Sequence, residues 1–317
     1  MVFKDSKPTN VFQALIPSIA VLAYWSALFL LSGLRADHFI FGAVILILFY
    51  GGVRIKRLRD FLLPLLLVAV VYDSQRFFAD YIRGTIHVIE PYEFDKRFFG
   101  ISDSGTILTP NEWWQKRIHP VLDLIAGATY LIYVFEFLLV AAYFRFFLCK
   151  NDTLPERARS MMWAFFVVNI LGYITYYVYP AAPPWYVAEY GFGPARLDVQ
   201  ASLAGCARFD EMTGLSFFKE WYGRSADVFG AIPSLHAAYP VLAAYYAFRV
   251  KRLRILTVAF SILMAFSAVY LNHHYVIDVI LGIGFALFAG AATDLAFALT
   301  RRQLSVLSQQ QALERNL

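Results

Sequence analysis

Eight stretches of this chain, residues 11–31, 38–52, 60–83, 119–147, 160–179, 234–249, 254–272 and 274–299, are mostly apolar and wholly or nearly long enough to cross a bilayer. A hydrocarbon core about 30 Å thick takes about 20 apolar residues per helix, and no water is present there to satisfy a stray amide or carbonyl. Each stretch is therefore expected to be a helix, and the helices to gather into a bundle. Of the 317 residues, 59% are apolar, 18% aromatic and only 16% charged. So few charges could not cover a water-facing surface, which excludes a soluble two-domain protein. The expected fold class is all-α, a polytopic membrane helix bundle of about eight transmembrane spans. The second and sixth stretches are the shortest, and dropping them gives six or seven. Met1-Val2-Phe3-Lys4 precedes the first stretch without a small-residue cleavage site, so that stretch reads as a permanent span.

The basic residues set the expected sidedness. With eight spans, one face receives Arg54-Ile55-Lys56-Arg57-Leu58-Arg59, Lys150, Arg157, Arg159, Arg249, Lys251, Arg252, Arg254 and Arg301-Arg302. Short loops rich in Lys and Arg stay in the cytoplasm. Both termini are then cytoplasmic, and the two long polar loops, 84–118 and 180–233, lie on the periplasmic or lumenal side. The net charge of +5 is explained by those inner loops and calls for no nucleic-acid partner. Cys149 and Cys206 fall on opposite faces, so they form neither a disulfide nor a metal cluster. The domain reading is an N-terminal accessory pair of spans over 1–59, a catalytic membrane core over 60–300 and a cytoplasmic tail over 301–317.

The chemistry gathers at two helix starts. Pro233-Ser234-Leu235-His236 opens the sixth span, and Asn272-His273-His274-Tyr275-Val276-Ile277-Asp278 opens the eighth. Between them the chain crosses inward and returns, so both motifs reach the same outer face. His274 and Asp278 stand at i and i+4 on one helix face. A carboxylate there can take the imidazole Nδ1–H and leave Nε2 to act as nucleophile or base. An isolated His-x3-Asp more often does no more than cap a helix. Ionisable residues at membrane depth, with a second histidine motif on the same face, tip the reading toward function.

These residues resemble motifs of the type 2 phosphatidate phosphatase superfamily. Pro233-Ser234-Leu235-His236 is similar to its P-S-G-H motif, and Ser267, His274 and Asp278 fall in register with its S-R-x5-H-x3-D motif. Pro-Ser-Leu-His together with His-His-Tyr-x-x-Asp, and Tyr179-Pro180-Ala181-Ala182-Pro183-Pro184-Trp185, are most similar to the inositol phosphorylceramide synthase branch. The resemblance implies a six-helix core preceded by two extra spans. It also implies roles. His274 would attack phosphorus and carry a phosphohistidine, oriented by Asp278. His236 would protonate the leaving oxygen and then deprotonate the incoming alcohol or water. Ser234 and nearby amides would hold phosphate oxygens. No metal or other cofactor is implied; the partners are the membrane, a phospholipid donor and a lipid-alcohol acceptor.

Two departures stand out. The superfamily's K-x6-R-P motif has no match, and Ala268 replaces the arginine of the third motif. Phosphoryl transfer needs positive charge around the equatorial oxygens. Arg76 and Arg83, at i and i+7 near the outer end of the third span, are candidates to supply it, with Arg224 and Arg196 in the long outer loop behind them. The bland alternative for Arg76 is pairing with Asp73 or Asp80, and for Arg83 snorkelling to headgroups. His38, His87 and His119 read as wetted span-end residues, His273 as a helix-start or hydrogen-bonding residue. Trp185 and Tyr186 read as interfacial anchors, with the proline run alternatively shaping an acyl-chain entrance, and Asn111–Arg117 as an amphipathic segment in the outer interface.

The leading functional reading is a lipid phosphotransferase that moves a phospho-headgroup from a phospholipid to a ceramide-like alcohol. A phosphatase acting on phosphatidate or polyprenyl phosphate would use the same triad with water as acceptor. A non-catalytic lipid-binding or transport protein is the third class. Transporters place their ionisable residues near the midplane, whereas here they gather at one face.

Overall fold

The computed structural model describes residues 11–31, 33–52, 55–77, 82–148, 154–223 and 228–314, with the side chains of 11–13, 76, 154–156 and 312–314 left out of the description. In chain order the helices are α1 (Val11–Leu31), α2 (Ala36–Tyr50), α3 (Lys56–Ser74) and α4 (Ile89–Phe99). A hairpin of β1 (Ile101–Asp103) and β2 (Thr106–Leu108) leads to α5 (Pro110–Gln115) and α6 (Pro120–Ala142). Then follow α7 (Leu154–Val178), α8 (Pro184–Tyr190), α9 (Cys206–Thr213) and α10 (Phe217–Tyr222). The chain closes with α11 (Leu235–Val250), α12 (Arg254–Tyr270) and α13 (Val276–Glu314).

Among the described residues, four segments are long and apolar enough to cross a membrane: Ala14–Leu31, Pro120–Phe147, Arg157–Val178 and Val276–Gln311. Ala36–Tyr50 and Arg254–Tyr270 are apolar but shorter. The chain is an integral membrane protein. Of the third expected span, 60–83, residues 78–81 lie outside the described residues. α3 stops at Ser74, a 3-10 turn covers Gln75–Phe77, and residues 83–86 are not helical. The polar run there turns inward: Gln75 is buried and its Oε1 accepts the Tyr177 hydroxyl at 2.9 Å.

The chain divides into two compact units, Met1–Leu66 with Ala296–Leu317, and Leu67–Leu295. In the first, Gly42 lets the Trp25 indole lie against the α2 backbone. The Trp25 Nε1–H donates to His38 O at 2.9 Å, and the hydroxyls of Ser18 and Tyr50 meet at 2.8 Å. His38, read as a wetted span-end residue, is buried in this packing.

The second unit is built around α11. Its buried Ala237, Ala238, Ala243, Ala244 and Ala247 leave room for neighbours to come close, the usual device where water supplies no hydrophobic drive between helices. Gly282 of α13 abuts the Ser234 carbonyl, so a side chain there would push α13 off the start of α11. Between α7 and α11, buried Asn169 accepts the hydroxyls of Tyr173 (3.0 Å) and Tyr239 (2.6 Å). At the far end of the bundle, Asp294 accepts from Ser160, Tyr245 and Tyr246 and pairs with Arg249.

The two long polar loops fold into a cap. Ser104 and Gly105 both take positive φ, 51° and 84°, as a two-residue hairpin turn requires. Thr109 and Glu112 form a capping box, with Pro110 starting α5. The proline run after α7 passes through the interior, bridging His87 on one side and Gly230 on the other through Ala181. Trp185 and Tyr186 are therefore buried, at 4% and 1% exposure, rather than anchored in the interface. Prolines bring no amide to bury, and the polar groups that remain find partners: Trp185 N donates to Asn272 O and Arg196 N to the Tyr186 hydroxyl.

Candidate active site

Two helix ends make the site. α12 closes on Asn272, a left-handed residue with φ 64°, a conformation asparagine tolerates at a helix C-terminus. The reversal turns the amides of His273 and His274 back onto Ala268 O, each at 3.1 Å. Ala268, in the position of the family arginine, is fully buried. α11 opens opposite, with Ser234 as N-cap: its Oγ accepts Ala237 N at 3.3 Å and its own amide donates to Asp278 O at 2.9 Å. Pro240 has no amide to return to His236 O, which loosens the first turn of α11 at that histidine.

His236 and His274 face each other, Nδ1 of the first 3.0 Å from Nε2 of the second. His274 Nδ1 lies 3.1 Å from Ala231 O and 3.4 Å from Asp278 Oδ2. A carbonyl only accepts, so His274 carries its proton on Nδ1 and turns a lone pair toward His236, whose Nδ1 then carries the other. Asp278 is fully buried; Oδ2 also accepts Tyr275 N at 2.9 Å, and Oδ1 has no hydrogen-bond partner. The arrangement is an imidazole oriented at one ring nitrogen, with the other 3.0 Å from a second imidazole.

Around the pair the walls are aromatic. His236 stacks on Tyr130 with centroids 4.4 Å apart, and His273 stacks on the other rings, Tyr130 and Tyr222, both at 5.0 Å. A groove runs from His236 past Tyr130, Tyr133 and Tyr222 to the exposed Phe135 and Trp221. His273 is held by the long 180–233 loop, 3.1 Å from Leu203 O and 3.3 Å from Cys206 Sγ. Burial, with His274 beside it, pushes its pKa down to about 3, and burial pushes the Cys206 thiol and the Tyr222 hydroxyl up. All three stay neutral at ordinary pH. Among the described residues, no group of His, Cys, Asp and Glu could hold a metal ion.

The other residues singled out from sequence are scattered. The Ser267 hydroxyl is spent on Leu263 O, one turn back in α12, at 2.7 Å. The Arg76 side chain and Arg224 lie outside the described residues. Residues 78–81, between Arg76 and Arg83, also lie outside the described residues, and with them the shared helical face expected for the two arginines. Arg83 puts its guanidinium 5.4 Å from the Phe229 ring, two residues before Ala231. Arg196 pairs with Asp198 on the surface. His87 stacks on Tyr179 at 3.8 Å, and His119 caps α6. Sequence reading missed Arg208, whose Nε donates to Asp123 at 2.7 Å beneath Tyr270, and it missed Asp95 and Asn111; nothing in their local pattern marks them.

Residues 103–292, more than half of the chain, match the family model of the PAP2 superfamily. The chain belongs to the PAP2 superfamily. Within that superfamily it is 40% identical over 262 residues to a phosphoinositol dihydroceramide synthase of Bacteroides thetaiotaomicron, covering 80% of this chain and 83% of that one. It is 30% identical over 220 residues to the inositol phosphorylceramide synthase catalytic subunit of Schizosaccharomyces pombe, covering 69% of this chain and 50% of the relative. The Saccharomyces cerevisiae subunit of the same name is 29% identical over 221 residues, 69% of this chain and 52% of that one. No solved structure matches. This PAP2 protein is a membrane-embedded enzyme, a lipid phosphotransferase of the type 2 phosphatidate phosphatase superfamily.

Proposed function

We propose that the enzyme moves a phosphoinositol-type headgroup from a phospholipid to a ceramide-like lipid alcohol through a phosphohistidine at His274. The observation that carries this reading is the His274 imidazole, held at Nδ1 and meeting His236 at Nε2. The names of the relatives supply the donor and acceptor classes. His274 Nε2 attacks phosphorus; the bond to the diacylglycerol oxygen breaks, and that oxygen takes a proton from His236. The acceptor hydroxyl then gives its proton to His236, its oxygen attacks phosphorus, and the P–N bond breaks. No phosphate fits between nitrogens 3.0 Å apart, so substrate binding has to part the two rings.

The free amides of the first turn of α11, capped by Ser234, suit phosphate oxygens, and Arg83 supplies positive charge beside the 229–231 segment. Arg76, Arg224 and Ser267 remain further candidates for the phosphate. The groove from His236 to Phe135 and Trp221 suits the chain of a lipid alcohol. In this reading eight spans carry the chain, the triad lies on the periplasmic or lumenal side, and both termini are cytoplasmic. The basic turn at Arg249, Lys251, Arg252 and Arg254 supports that sidedness. The catalytic machinery sits within 60–300, with 1–59 an accessory pair and 301–317 a tail.

The test is purified protein in mixed micelles with phosphatidylinositol and a fluorescent ceramide, alongside His274→Ala. A new polar fluorescent lipid, absent with His274→Ala, is expected. His274-dependent phosphate release from phosphatidate, with no transfer product, would replace the synthase reading with a phosphatase.

A further inference from the structure

Three side chains of the cap reach the backbone of the turn that carries His274. Asp95 of α4 accepts the amides of Val276 (Oδ2, 2.8 Å) and Ile277 (Oδ1, 3.0 Å). Asn111 of α5 donates through Nδ2 to Val269 O and to His274 O, both at 3.0 Å. Gln115 of α5 donates to Tyr270 O at 2.8 Å. Asp95 is fully buried and Asn111 nearly so. The amides that Asp95 takes belong to the first turn of α13, where a helix leaves its donors unsatisfied and a negative charge is favoured. A residue beside the helix ordinarily provides such a cap. Here the neighbouring Asp278 is occupied with Tyr275 N and His274, and the cap comes from a helix far away in sequence.

We propose that Asp95 and Asn111 are positioning residues for the phosphotransfer, fixing the backbone on both sides of His274 so that its Nε2 and the Asp278 carboxylate keep their aim. This rests on His274 being the nucleophile. Neither residue touches the groove or the imidazole pair; they act on the peptide units between which His274 is slung. Asn111 holds the carbonyl of the nucleophile itself. An apolar contact could bury the same surface, but it could not select the direction in which the turn presents its histidine.

Asp95 also gives the device a titration. Burial pushes its carboxyl up to about 6, against the pull of the two amides and with Asp278 adding to the rise. The ionisable groups around it are Asp278 on α13, Tyr275 in the turn, Glu112 on α5, and Tyr92 and Lys96 on its own helix. Ionised, the carboxylate accepts both amides. As pH falls through about 6 a proton occupies one oxygen, and one amide loses its acceptor.

The experiment uses the full-length protein in micelles, with whichever lipid substrate gives His274-dependent turnover, comparing wild type, Asp95→Asn, Asn111→Ala and His274→Ala from pH 5 to 8. The expected result for Asp95→Asn at pH 7.5 is a kcat lower by on the order of 100-fold, with KM within about twofold because no substrate groove is touched. The ratio of wild-type to Asp95→Asn activity is expected to shrink toward one between pH 7.5 and 5, since the variant imitates the protonated acid. Its melting temperature at pH 7.5 stays at or above that of wild type, because a buried charge has been removed; a purely structural role would lower it. Asn111→Ala lowers kcat in the same way without the pH dependence. Wild-type kcat in Asp95→Asn, or a ratio constant with pH, overturns the positioning role while leaving His274 in place. Full activity in His274→Ala overturns both.

Discussion

Two aspartates on the same helix, Asp278 and Asp294, have opposite surroundings. Asp294 takes Ser160 at 2.6 Å, Tyr245 and Tyr246 each at 3.2 Å, and the Arg249 guanidinium at 3.0 Å. Both its oxygens are engaged, and three helices are clasped together. Asp278 is more deeply buried, yet one oxygen accepts nothing and the other serves one amide and a histidine at 3.4 Å. Burying a carboxylate costs several kcal/mol unless its lone pairs are met. Asp294 has them met, and the helices around it gain cohesion. At Asp278 the carboxylate stays under-satisfied, and that free electrostatic demand is what an imidazole needs if positive charge is to build on it.

Substitutions at the two positions can break the contrast. Asp278→Asn should lower turnover by about 10³- to 10⁴-fold, by analogy with loss of a histidine-orienting carboxylate, with little change in melting temperature. Near-normal lipid turnover by this variant would remove Asp278 from the mechanism. Asp294→Asn should do the reverse: a stability loss of about 1–3 kcal/mol from donors left without an acceptor, read by thermal unfolding in detergent, and turnover within about threefold. If it silenced the enzyme while the fold stayed intact, the two aspartates would not be divided as argued. The smallest effect is expected at Ser234→Ala, which removes the N-cap of α11 for about 1 kcal/mol. Its turnover should fall by less than about tenfold, because the first-turn amides remain; a larger fall would show the hydroxyl itself on phosphate.

Some of this was legible in the residues. The apolar stretches mark their helices because an unsatisfied backbone cannot stay in hydrocarbon, and the described helices fall where the stretches do. Beyond Ser74, Gln75 finds a side-chain partner in Tyr177, which no helical periodicity could have announced. The meeting of His236 with His274 follows from helix starts on one face, a matter of span parity. Trp185 and Tyr186 are residue types common at membrane interfaces, yet here they are buried with Val88 and Phe229. Within the amphipathic Asn111–Arg117 segment, Asn111 and Gln115 hold backbone carbonyls of the 269–274 turn, contacts that its pattern does not announce.

The sequence alone settled the medium, the helical class, the family and the i, i+4 relation of His274 to Asp278, since each depends on composition or on spacing within a single helix. Tertiary structure decided which carbonyl shares the His274 proton, which rings line its approach, and which buried carboxylate caps α13 from the long polar loops. Those are contacts between residues such as Asp95 and Val276, far apart in the chain, whose pairing is set by how helices and loops pack and leaves no local periodicity to read.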